Sequence, residues 1–188
     1  MSPRKTLAMM TATAALIAGS VLTAHASTAA ESQQSTASSA STSAFTGQAI
    51  GAGLTGRQAT QLQQRVDDVL AKDPQARQVS ANKLTTAGGT LVLAAPGQTD
   101  TRDLAAPGTA LACANGHLCI TDGRGNNYDY YRCGYYDFYG IGDGTFNNNQ
   151  TSGTRARFYN ENGTERWSNV AKSTGTASWT PVFHIRPC

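Results

Sequence analysis

The stretch CANGHLCITDGRGNNYDYYRCGYYDFYG, residues 113–140, decides how the chain is read. Three of the four cysteines fall inside it: Cys113, Cys119 and Cys133, with Cys188 closing the chain. Aromatic residues crowd its second half, from Tyr128, Tyr130 and Tyr131 through Tyr135, Tyr136, Phe138 and Tyr139. Short β-prone runs alternate here with Gly- and Asn-rich turn signals, a pattern of short strands rather than helices.

The same texture continues to the C-terminus. Thr154, Ala156 and Phe158 alternate with Arg155, Arg157 and Tyr159, as expected of a half-buried strand. Asn162-Gly163 is a hairpin turn signal, and Glu165-Arg166-Trp167 returns from it. Near the end, Phe183 and Ile185 are expected on one face, with Val182, His184 and Arg186 on the other. Six to eight short strands over residues 113–188 predict a sandwich of Greek-key type, and the fold class is mainly β.

Upstream, the reading changes. Thr55 and Gln58 fit a capping box, and Ala59, Leu62, Val66 and Val69 recur at helical spacing until Pro74. Two β-like runs follow, Gln78 to Thr85 and Thr90 to Ala95, with Gly88-Gly89 as a hairpin signal between them. A helix and one hairpin bury too little to fold well alone. Residues 54–96 are therefore expected to be an accessory unit on the C-terminal domain or a removable pro-segment, and 97–112 a linker. Residues 27–53 are Ser, Thr, Ala, Gln and Gly with little to bury, and are expected to be disordered. Residues 1–26 read as a signal peptide: Arg4 and Lys5, an apolar run from Leu7 to Ile17, then Ala24-His25-Ala26 as the cleavage site.

Export sets the expectations for charge and sulfur. The formal net charge is +3 and becomes +1 once Arg4 and Lys5 leave, so no basic field supports nucleic-acid binding. No membrane contact is expected after signal cleavage, and the product is expected to be a secreted, extracellular monomer. Four cysteines in an exported chain imply disulfides. A zinc centre is the rival, but there is no C-x-x-C pair, and His117 and His184 lack ligand spacing. Three pairings are possible. The favoured one joins Cys113 to Cys119 around Asn115-Gly116, and Cys133 to Cys188.

No catalytic constellation is visible. His117 lies inside the small Cys loop, His184 has no obvious acidic partner nearby in sequence, and no Ser stands in a nucleophile elbow, so the chain is expected not to be an enzyme. Two strings carry binding possibilities. Asn147, Asn148, Thr151 and Ser152 have the oxygen-bearing side chains of a weak Ca²⁺ site, with amides where carboxylates would bind more strongly. No cofactor is required. Tyr131, Arg132, Cys133, Gly134, Tyr135 and Tyr136 form a Cys-anchored, aromatic-flanked segment, pre-organised as a substrate-like inhibitory loop must be.

Residues 113–188 resemble the βγ-crystallin-like peptidase inhibitor family of the Streptomyces metalloproteinase inhibitor type. The resemblance lies in the opening Cys113-Ala-Asn-Gly-His-Leu-Cys119-Ile, in Phe146-Asn-Asn-Asn-Gln-Thr-Ser-Gly153 and in Ala156-Arg-Phe-Tyr-Asn160. It extends to the close, Trp179-Thr-Pro-Val-Phe-His-Ile-Arg-Pro-Cys188. It implies a two-Greek-key β-sandwich and inhibition of an extracellular protease, with metalloproteases the targets of the family's founding member. The Asn147–Ser152 string also resembles the family's calcium motif. The family's inhibitory loop, a second tight cysteine pair late in the domain, is not found here. Two other functions remain open: a calcium-binding or cell-wall-associated structural module, and an exported toxin or hydrolase with residues 54–95 as pro-segment.

Overall fold

A computed structural model describes residues 42–98, 100–109 and 111–188. The signal peptide and residues 27–41 of the stretch expected to be disordered lie outside the described residues.

The chain is mainly β, with eleven strands in two antiparallel sheets. The strands are β1 (Arg77–Gln78), β2 (Lys83–Thr85), β3 (Gly89–Val92), β4 (His117–Thr121), β5 (Asn127–Tyr130) and β6 (Tyr136–Asp137). They continue with β7 (Asp143–Asn149), β8 (Arg155–Tyr159), β9 (Glu165–Val170), β10 (Ser173–Ser178) and β11 (His184–Arg186). The larger sheet has the order β1-β2-β3-β5-β4-β7-β10, and the smaller β6-β11-β8-β9. This order does not in itself establish the two Greek keys that the resemblance implies.

Sheet alternation builds the core. In β8, Ala156 and Phe158 are fully buried while Arg155 is exposed. Phe158 stacks on Trp167 of β9 at 3.9 Å between ring centroids. Trp167 also meets Phe146 of β7 at 5.6 Å, so aromatic rings join the two sheets. Trp179 closes the cluster, fully buried against Phe138 and Phe158. Asn162-Gly163 makes the expected turn into β9, with Gly163 at φ 77°. One expected alternation fails: Val182 is buried and Phe183 is 40% exposed. The strand starts only at His184, and the chain ahead of it turns, with Val182 N–H donating to Trp179 O.

Helix α2 (Gly56–Lys72) starts where the sequence places it. Thr55 caps Gln58 N–H, and the Gln58 side chain accepts the Thr55 N–H. It buries Ala59, Leu62, Gln63 and Val66. Arg65 reaches across to Ala94 O and Asn126 Oδ1, at 2.7 and 2.8 Å. Asn126 in turn donates to buried Asp122, whose Oδ1 also accepts the N–H groups of Arg124 and Asn126. Helix and C-terminal strands thus share one polar network.

The boundaries expected from sequence change in three places. First, β3 pairs with β5 from Gly89↔Tyr130 to Val92↔Asn127, so residues 77–92 extend the sheet of the C-terminal strands. A Cβ on Gly89 would lie 1.9 Å from Asp129 O, so this glycine permits the close strand approach rather than a left-handed turn. Second, within the expected linker 97–112, residues 102–104 are tied to the β2–β3 region. Asn82, fully buried, donates to Leu93 O and Arg102 O and accepts from Leu104 N–H. Leu104 is buried, and Lys83 pairs with Asp103 at 3.3 Å. Third, residues 42–51 form a helix, α1, where disorder was expected. Ala49 is buried and Gln48 Oε1 accepts the Ala81 N–H, so tertiary contacts order a stretch whose composition offers little.

Replacing Asn82 with Ala is expected to cost about 2–3 kcal/mol, because it removes the buried partners of Leu93 O and Leu104 N–H and a third, part-buried bond to Arg102 O. Urea unfolding measures it.

Candidate functional site

Between β5 and β6 the chain crosses from one sheet to the other, and Tyr131–Tyr136 is that crossing. Tyr131 and Tyr135 are 43% and 50% exposed, and Arg132 is exposed beside them. At its start, the Tyr131 and Arg132 N–H groups both donate to Gly88 O at 3.1 Å. In its middle, Cys133 is bonded to Cys188, and Cys113 is bonded to Cys119 nearby in sequence. At its end, Tyr136 pairs with Ile185 and its hydroxyl donates back to Cys133 O at 2.9 Å.

Each end also leans on a histidine. The Tyr131 ring lies 5.2 Å from His117, whose Nδ1 is 2.7 Å from Asp129 Oδ1. The Tyr135 ring lies 5.0 Å from His184 and 5.2 Å from Tyr159. His184 Nδ1 is 2.8 Å from Asp137 Oδ1. Each carboxylate fixes the orientation of an imidazole, and each imidazole then supports a tyrosine ring. The Arg132 guanidinium stands 5.6 Å from the Tyr131 ring centroid, within cation–π range.

Sequence spacing hides both His–Asp pairs. His184 and Asp137 are direct cross-strand partners in β11 and β6. Asp129 pairs with Cys119, two residues from His117 on the same face of β4. Only the sheet register brings these groups together. Gly88 carries a second hidden role: a Cβ there would meet the Tyr130 and Tyr136 rings at 2.8 and 2.9 Å. Its lack of a side chain lets the β2–β3 turn pass beneath the segment.

The phenols nearby are held neutral. Burial pushes the Tyr130 hydroxyl well above its ordinary value, and neighbouring Tyr128, Tyr136, Asp73 and Tyr139 add to the shift. Burial first, then Asp122, raises Tyr128 in the same direction. Partial desolvation, followed by Asp137 and Asp73, raises Tyr139.

The calcium-like string is arranged differently from a converging ligand set. Asn147 and Asn148 are adjacent in β7 and project to opposite faces. Asn148 is fully buried; its Nδ2 donates to Asn169 O and Oδ1, and its Oδ1 accepts from Gln150. Thr151 and Ser152 are exposed in the turn that follows. No protein-family model, curated protein or solved structure matches this chain.

Proposed function

We propose that the protein is a secreted peptidase inhibitor that presents residues 131–136 to a protease cleft. The observation that carries this reading is the bracing of an exposed segment at its start, middle and end. A flexible loop loses conformational freedom on entering a cleft, and a segment held by a disulfide, backbone hydrogen bonds and packed rings has less to lose. Tyr131, Arg132 and Tyr135 supply the side chains that reach a partner; aromatic and Arg residues are the common anchors of such contacts.

Occlusion requires no chemistry by this chain. The segment fills the cleft and is cut slowly or not at all. A cut within it would leave the new ends in place, held by Gly88 on one side and Cys188 on the other. The two disulfides fit an oxidising, extracellular setting. Among the described residues no helix is long and apolar enough to cross a membrane.

Titration against metalloprotease and serine protease panels tests the reading. Inhibition by micromolar protein in at least one panel is expected, with metalloproteases favoured by the family resemblance. Arg132→Ala together with Tyr131→Ala is expected to weaken it at least about tenfold, since anchor residues commonly contribute more than 1 kcal/mol each. No inhibition in either panel ends the proposal.

A further inference from the structure

Behind the braced segment lies a cleft of about 380 Å³, open between the C-terminal end of α2, the β2–β3 turn and the tyrosines. Tyr128, Tyr130, Tyr135, Tyr136 and Tyr139 line it. Their rings offer π faces, and those of Tyr130 and Tyr136 stack at 6.0 Å. Two carboxylates, Asp73 and Asp137, share the lining with a single cation, Lys72. Helix α2 ends here and adds the partial negative charge of its last carbonyls. The balance is negative and the walls are aromatic.

Two observations single out the cleft as built for a ligand. The Tyr130 ring is largely buried, and no described residue hydrogen-bonds its hydroxyl. The hydroxyl is nevertheless open to solvent, and Tyr130 lines the cleft together with Tyr128, Tyr136, Asp73 and Tyr139. The hydroxyl is thus free to accept a hydrogen bond from a ligand in the cleft. In addition, the Lys72 ammonium already stands 5.7 Å from the Tyr139 ring centroid, and the Tyr139 hydroxyl donates to Lys72 O. The rim therefore holds a cation of the chain's own against one of these rings.

We infer that the cleft binds an organic cation of the alkylguanidinium or alkylammonium class, the chemistry of an Arg or Lys side-chain end. The cation would sit between the tyrosine faces, near Asp73 and Asp137, and a guanidinium N–H would donate to the Tyr130 hydroxyl. An anion would meet two carboxylates and a helix C-terminus. The volume lies toward the small end of ligand sites and suits a side-chain-sized group. This inference does not depend on protease recognition.

The test titrates the intact protein with butylguanidinium and butylammonium, followed by amide and aromatic NMR shifts, with butyrate and glucose as controls. Saturable binding of at least one cation is expected, on the order of millimolar for so small a probe, with shifts centred on Asp73, Tyr130, Tyr136 and Tyr139. Lys72→Met is expected to tighten binding about threefold by removing the competing cation, and Asp73→Asn to weaken it about threefold or more. Lys72 is exposed, and Asp73→Asn keeps the Oδ1 that accepts the Gln75 N–H, so both variants should melt within a few degrees of the parent. Three results would overturn the inference. These are no saturation by either cation in the parent and Lys72→Met proteins, equal binding of butyrate or glucose, or both variants leaving cation affinity unchanged.

Discussion

Replacing Cys133 and Cys188 together with Ser is expected to lower the free energy of unfolding by about 4 kcal/mol. The bridge spans a sequence separation of 55, so its loss frees a long loop in the unfolded chain. The Cys113–Cys119 bridge spans only 6, and its removal should cost about half as much, roughly 2 kcal/mol. Domains are marginally stable, commonly by about 5–15 kcal/mol, so the first loss is a large share. It should appear as a fall in melting temperature of roughly 8–16 °C. The same bridge holds the middle of the 131–136 segment to the strand end at Cys188, so inhibition should decline with it even below the melting temperature. The Cys113–Cys119 variant should keep more of its inhibitory strength, because its bridge lies outside the segment. Equal losses for the two pairs would show that the unfolded chain is not the seat of the effect.

Truncating Phe158 to Ala is expected to cost about 3–5 kcal/mol. This ring is fully buried in β8, stacked on Trp167 and 5.7 Å from Trp179. It stands where aromatic residues of the two sheets meet, so its removal leaves a cavity that the backbone of two sheets cannot easily close. Thermal and urea unfolding measure the loss. Tyr131, half exposed on the segment, makes the contrast: Tyr131→Ala should leave stability within about 0.5 kcal/mol, as is usual for surface substitutions, yet weaken inhibition. Opposite outcomes for these two aromatics separate the residues that hold the fold from those that face a partner.

The features readable from sequence are those set by neighbours along the chain. Thr55 and Gln58 cap a helix within one turn of themselves, and Asn162-Gly163 turns a hairpin whose strands flank it. The alternation of Ala156 and Phe158 needs only the strand's two-residue period. What escaped was decided across the sheets. The pairing of β3 with β5 joins residues 89–92 to 127–130, and nothing in either run names the other. The placement of Arg102 and Leu104 depends on the Asn82 amide, some twenty residues upstream of the groups it binds. The helix over 42–51 depends on contacts made by Gln48 and Ala49, not on helix propensity. Val182 and Phe183 broke the expected alternation because the turn at Thr180-Pro181, whose proline marks it locally, shifts the phase just before β11.

The candidate segment shows the same division. Cys133 and its aromatic flanks stand out in the sequence, whereas the supports do not. His117 and His184 find Asp129 and Asp137 only through register, and Gly88 matters for the rings that pass over it. The cleft behind the segment assembles Tyr residues from the 128–139 run with the far end of α2, more than fifty residues earlier, so no local motif announces it.

Peptide mapping of the protein under non-reducing conditions examines the brace itself. Digestion followed by mass spectrometry should yield one peptide pair linked through Cys133 and Cys188, another linked through Cys113 and Cys119, and no alkylatable thiol. Free thiols at Cys133 and Cys188, or either of those two cysteines bonded to Cys113 or Cys119, would mean that the exposed segment is not tethered to the chain end, and would contradict both the bracing and the inhibitory role built on it.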